Sequence, residues 1–229
     1  HDGCALLYQT EKFQVVGEEK RLRYKSMNQC AIAAVFQLKH EPSKQVTVAV
    51  THLKAKLKEG NERIRAKQAR QLELWLQDKT LFPQTTPVIV CADLNAQPYG
   101  AAHRVMLHSA LELKSAYSHS KISVVEQRFK DASLQTKETL SIALPDHPLL
   151  FENRFETQEM HPEPPFTTAK IRGKLSVKHT IDYIFYTPKR GLKLISLLTT
   201  PHENELPETM LPGYAFPSDH LHLAAKFQL

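Results

Sequence analysis

The run Pro87-Val-Ile-Val-Cys-Ala-Asp93-Leu-Asn95 constrains this chain more than any other stretch. An apolar segment of β-branched character reads as a buried strand, and it stops abruptly at a carboxylate with a carboxamide two residues on. A strand ending this way sets the carboxylate at the rim of a sheet, where it can face a ligand from a rigid support. Taken alone, the pattern equally describes an ordinary strand followed by an Asp-containing turn. Three further segments give it weight. Val48-Ala-Val-Thr-His52-Leu-Lys54-Ala-Lys56 lies upstream, and His179-Thr-Ile-Asp182-Tyr-Ile-Phe-Tyr186 and Pro217-Ser-Asp219-His220 lie downstream. Four segments that each deliver Asp, Asn or His point to one hydrolytic centre.

With 229 residues, 41% hydrophobic and 24% charged, the chain is long enough for a sizeable core and belongs with globular proteins. Its net charge of +6 suits a polyanionic or phosphate-bearing partner, though many proteins share such an excess. Cys4, Cys30 and Cys91 form no CxxC pair, which disfavours a zinc site or disulfide framework and makes a reducing compartment the default. The expected location is the cytoplasm, with mitochondria as the alternative. No apolar run approaches the ~20 residues that span a bilayer. Residue 1 is His rather than Met, so the beginning carries no statement about targeting.

Strands are expected at Cys4 to Tyr8, Phe13 to Val16, Ala31 to Leu38, Gln45 to Val50, the run to Ala92, Thr180 to Tyr186, Leu192 to Leu198 and Leu221 to Leu229. From Asn61 to Gln77, the stripe Ile64, Gln68, Leu72, Trp75/Leu76 predicts a helix, with Arg63, Lys67 and Arg70 on a solvated face. A shorter helix is expected over 101–113. Residues 118–165 show no period and close in Met160-His-Pro-Glu-Pro-Pro165, which reads as a long surface insertion, partly mobile. Strands alternating with helices predict a single layered α/β domain.

The chemistry follows from residue types. A carboxylate can take a proton from water, and a carboxamide can orient the nucleophile or hold a phosphoryl oxygen. These roles suit Asp93 and Asn95. His52 and His220 could donate to phosphate, Asp182 could fix an imidazole tautomer, and Asp219 could bind a hard cation. Each also has a plain structural alternative, a surface His or an Asp that satisfies backbone N–H groups.

The order Thr51-His-Leu, Ala92-Asp-Leu-Asn95, His179-Thr-Ile-Asp-Tyr-Ile184, Ser218-Asp-His220 resembles the exonuclease–endonuclease–phosphatase superfamily. Asp2-Gly-Cys-Ala5, Asn28 to Ala33, Glu62-Arg63, Ser115-Ala-Tyr117, Thr167-Thr168, Lys170-Ile-Arg172 and Tyr214 to His220 resemble one branch of it. The resemblance implies a two-layer α/β β-sandwich flanked by helices and Mg2+-dependent cleavage of a phosphate ester. It implies Asp93 as general base, Asn95 orienting water, His220 stabilising the phosphoryl group with Asp182 behind it, and His52 on the phosphate. It further implies Asp219 at the metal or its water shell, and Lys54, Lys56 and Arg172 gripping the substrate. Phe166 is the stacking candidate, with a core Phe as the alternative.

Lys56 stands where that branch has Arg, while Asn61 and Ala169 stand where it has Trp. The superfamily's principal metal-binding Glu and a catalytic Asn lie upstream of the Asp-Gly-Cys-Ala segment. The resemblance therefore implies a carboxyl-terminal piece of a longer catalytic domain, inactive and poorly soluble alone because sheet edges stay open. The leading expectation is removal of the 2′-phosphate of NADP(H). The alternative is poly(A)-specific 3′ exonuclease action, and a third is a silent phosphate-binding module.

Overall fold

A computed structural model describes residues 3–25, 28–56, 59–118, 123–125, 155–156, 163–214 and 216–229. Its main body is a six-stranded sheet built from β1 (Phe13–Arg23), β2 (Cys30–Leu38), β3 (Gln45–His52), β4 (Val88–Asp93), β5 (Lys114–Ser115) and the later β10 (Asp182–Tyr186). The strand order is β1-β2-β3-β4-β10-β5. Helix α1 (Glu59–Leu76) connects β3 to its parallel neighbour β4, as a crossover between parallel strands requires. Helix α2 (Ala101–Leu107) follows β4.

Alternation along the strands gives the sheet two faces. Ala31, Ala33, Val35, Ala49, Val88, Val90, Tyr183 and Phe185 point one way and pack against Ala69, Leu72 and Leu76 of α1 and Ala102 and Met106 of α2. Ile89, Cys91, Ile184 and Tyr186 point the other way, toward Leu192, Leu197 and Phe227. Leu197 and Phe227 belong to a second sheet of β6 (Ser123–Val125), β7 (Phe155–Glu156), β11 (Lys193–Leu198) and β12 (Ala225–Gln228), ordered β12-β11-β6-β7, and Leu192 immediately precedes its β11. Two apposed sheets with helices on the outer face give the expected α/β sandwich.

Several expectations need correction. Cys4 to Tyr8 carries no strand, and β1 extends to Arg23 instead of ending at Val16. Gly17, at φ +72, interrupts its register with β2, and this bulge hides the strand's continuity from the apolar pattern. Helix α2 ends at Leu107 rather than 113, and the chain turns through 108–113 before β5 begins at Lys114. Within 118–165, Ser123–Val125 and Phe155–Glu156 pair into the second sheet, and Glu163 and Pro164 are buried. Most of that stretch lies outside the described residues. The hairpin of β8 (Thr168–Arg172) and β9 (Leu175–His179) was not expected. No helix among the described residues is long and apolar enough to cross a membrane.

Candidate active site

Register assembles the site. In parallel pairing His52 of β3 lies opposite Asp93 of β4, and in antiparallel pairing Asp182 of β10 lies opposite the same Asp93. Directly opposed residues share a face, so three side chains far apart in sequence form one row across neighbouring strands at the sheet rim. His52 Nε2 is 3.4 Å from Asp93 Oδ2. Asp93 Oδ1 accepts the backbone N–H of Asn95 at 2.8 Å, which turns the chain sharply after the strand. Asn95 takes up a left-handed conformation, φ +49, one that Asn tolerates better than most residues. Its Nδ2 donates to Leu53 O at 3.2 Å, leaving the carboxamide oxygen with the acceptor role.

His220 arrives from the far end of the chain. A bridge pairs it with Thr168, and the Thr168 hydroxyl donates to Asp219 O at 2.6 Å. His220 Nδ1 then lies 2.9 and 3.1 Å from the two oxygens of Asp182. The hydrogen bond to Asp182 raises the His220 pKa above its ordinary value and favours the imidazolium. Burial, followed by the neighbouring charge of Asp182, raises the Asp93 pKa, so its carboxylate holds a proton more readily than an exposed Asp.

Thr167, which the sequence reading quoted only as part of a motif, is the support beneath this pair. Its fully buried hydroxyl donates to Asp182 Oδ2 at 2.6 Å and accepts the N–H groups of Ile181 and Asp182 at 3.0 and 3.1 Å. Nothing in the spacing of Thr167 and Asp182 signals this contact; the β8–β9 hairpin creates it by bringing the chain back so that Thr167 N–H meets His179 O, just before β10.

The remaining expected residues divide. Lys54 and Lys56 follow His52 on the loop beside Asn95, and Arg172 lies at the end of β8. Lys170 and Arg172 lie close enough to His179 to disfavour its protonation, after the burial that chiefly does so. Asp219 is engaged by Lys170, whose ammonium lies 2.5 Å from Oδ2 and lowers the Asp219 pKa. The cation facing Asp219 is thus a lysine. Phe166 is 2% exposed and packs with Ala169, Leu211, Phe216 and Leu221, so the expectation of a stacking surface is corrected to the core alternative.

Donor atoms of Asp93, Asp182 and His220 lie within 4.8 Å of one another. The carboxylates of Asp93, whose ionisation the Asp182 charge opposes, and of Asp182 fit a hard divalent cation, which would relieve that repulsion and leave positions for water and substrate oxygens.

A family model described as the endonuclease/exonuclease/phosphatase family matches residues 24–220, a span that contains the whole row and His220. The chain belongs to this family. Members of the endonuclease/exonuclease/phosphatase family are hydrolases that generally depend on a divalent metal. Nocturnin of Drosophila melanogaster is 34% identical over 233 residues, covering 100% of this chain and 33% of that protein. The structure of the human nocturnin catalytic domain with bound sulfate anion matches with a TM-score of 0.61 and 29% identity, covering 96% of this chain and 62% of that one. A probable CCR4-Not complex 3′-5′-exoribonuclease subunit of Enterocytozoon bieneusi is 49% identical over 55 residues, 23% of this chain and 11% of that protein. The chain spans from a third to about half the length of the curated nocturnins it matches.

Proposed function

We propose that the protein is a Mg2+-dependent phosphoester hydrolase of the nocturnin type that removes the 2′-phosphate of NADP(H) to give NAD(H). The observation that carries this reading is the row His52–Asp93–Asp182 with His220 hydrogen-bonded to its end. Asp93 is the general base. Its raised pKa, set by burial and then by the Asp182 charge, gives it a greater proton affinity than an exposed Asp, which suits a group that takes a proton from the attacking water. Asn95, its NH2 spent on Leu53 O, offers its oxygen to orient that water. His220, charged through Asp182, donates from Nε2 to a phosphoryl oxygen as negative charge concentrates there. His52 donates to a second phosphoryl oxygen. Asp93 and Asp182 would hold the cation, which supplies further charge neutralisation at the phosphate. Lys54, Lys56 and Arg172 bind substrate phosphate.

Water forms the new P–O bond, the ester oxygen leaves as the 2′-hydroxyl after protonation, and inorganic phosphate is released. The sulfate in the human nocturnin structure and the whole-chain similarity to nocturnin support a phosphate-binding site here. The local similarity to a probable 3′-5′-exoribonuclease favours poly(A) shortening as the second reading. The test uses the full-length protein and measures Mg2+-dependent phosphate release from NADPH beside shortening of a poly(A) oligonucleotide, with Asp93→Ala as control. NADPH turnover abolished by Asp93→Ala, with poly(A) intact, is the expected result. Shortening of poly(A) alone assigns the second reading instead.

A further inference from the structure

The loop after β3 is held more tightly than a surface loop needs. Four successive carbonyls are captured by side chains. Asn95 Nδ2 binds Leu53 O, Arg65 Nη1 binds Lys54 O at 3.1 Å and Lys56 O at 2.9 Å, and Asn61 Nδ2 binds Ala55 O and Lys56 O, both at 3.1 Å. The N–H of Lys54 donates to Gln68 Oε1 at 2.9 Å. Arg65 is buried, and its other nitrogens grip Glu62 Oε2 at 3.0 and 2.6 Å. Glu62 Oε1 accepts the N–H of Ala101 at 2.6 Å, tying this loop to the one that follows Asn95.

The product of this clamp is an unusual backbone. Lys56 sits at φ +77, a conformation that side-chain-bearing residues adopt rarely and only when their surroundings impose it. Neither the Lys54 nor the Lys56 ammonium has a hydrogen-bond or ion-pair partner among the described residues. A rigid backbone is therefore presenting two unspent cations beside the hydrolytic row. Asn61 and Lys56 are also two of the positions where this chain departs from the pattern it resembles, and here they touch. An arginine finds phosphate with its own planar fork, whereas a lysine is a point charge on a flexible stem. Accurate placement by lysine has to come from the backbone that carries it.

We infer that Asn61 is a specificity-determining positioning residue: by holding Lys56 in its left-handed backbone, it directs the Lys56 ammonium, beside that of Lys54, onto one dianionic phosphate monoester. This deepens the phosphatase reading and rests on it. Two positive charges without carboxylate partners match the two charges of a terminal phosphate, where a phosphodiester linkage brings one per phosphorus.

The test measures Kd for NADP+ and NAD+ in EDTA with the full-length protein. Their ratio reports recognition of the 2′-phosphate without any turnover. Asn61→Ala is expected to reduce that ratio about five- to tenfold, the size of one lost charge-assisted contact, and Lys56→Ala is expected to do the same. The double variant should fall no further than Lys56→Ala alone, because Asn61 acts through Lys56. In turnover, Asn61→Ala should raise KM for NADPH more than it lowers kcat. Additive losses, an unchanged ratio in Asn61→Ala, or equal wild-type affinity for the two dinucleotides overturns the inference. Asp93-dependent hydrolysis with an unchanged ratio removes the inference alone. Non-additive loss of discrimination without hydrolysis removes the phosphatase reading alone.

Discussion

Replacing Thr167 by Val keeps the shape of a buried β-branched side chain and removes only its hydroxyl. That hydroxyl makes a 2.6 Å bond to the Asp182 carboxylate and accepts the N–H groups of Ile181 and Asp182. A hydrogen bond to a charged group contributes about 1.5–3 kcal/mol, and a buried N–H left without a partner costs about 1–3 kcal/mol. Counting the first and one of the second, Thr167→Val should lose about 3–5 kcal/mol. Thr167→Ser, which keeps the hydroxyl and sheds a methyl, should lose about 1 kcal/mol. Urea unfolding of both variants, with m unchanged from the wild type, measures the difference directly. Activity should divide the same way. A group that orients a site carboxylate typically accounts for about 10- to 100-fold in rate or metal affinity, so Thr167→Val should fall by that amount and Thr167→Ser by far less. Equal stability and activity in the two variants would refute the reasoning, because the methyl and not the hydroxyl would then be the important group.

Further outcomes follow from the same geometry. In the metal-free protein in EDTA, an NMR titration should place Asp93 above its ordinary value of 3.8 and His220 above 6.5, and Asp182→Asn should bring the His220 value down. Stability should follow the same groups. The raised pKa of His220 makes its contribution complete below 6.5 and lost as pH rises through the folded value. The lowered pKa of Asp219 makes its contribution complete above 3.8 and lost as pH falls through the folded value, so Lys170→Met should flatten the acid side of a urea-midpoint titration. Arg65→Met, which takes from Glu62 its ion-pair partner and from Lys54 O its side-chain donor, should cost about 3 kcal/mol in urea unfolding. The Cys91 thiol, pushed up to about 11 by burial, should alkylate far more slowly at pH 8 in the native protein than in denaturant.

Apolar runs carried most of the legible fold. The strand to Ala92, the strand through Tyr186 and the stripe on α1 are all marked by side chains that must leave water, and each stands within a residue or two of its expected bounds. The β8–β9 hairpin was illegible because Lys170-Ile-Arg-Gly-Lys-Leu-Ser-Val-Lys178 is largely exposed and, among the described residues, its two strands form a sheet of their own. Buried polar residues were equally hidden. Arg65, Glu73 and Thr167 carry side chains that composition assigns to the surface, and only tertiary partners explain their burial. Asp93 was recognisable as a rim carboxylate from its own strand. Its alignment with His52 and Asp182 depends on the register of non-local strand pairs, which no local pattern encodes. Phe166 was left between stacking and core because one aromatic beside a Pro-rich stretch looks alike in sequence in either role, and its burial at 2% exposure favours the core.

The most direct test of the account is where the oxygen of water goes. Hydrolysis of NADPH by the full-length protein in water enriched in oxygen-18, followed by mass spectrometry of both products, reads it in one experiment. Water activated by Asp93 and attacking phosphorus predicts one labelled oxygen in the released phosphate and none in NADH. Label in the ribose hydroxyl, or phosphate released without label, would contradict the hydrolytic role assigned to the His52–Asp93–Asp182 row.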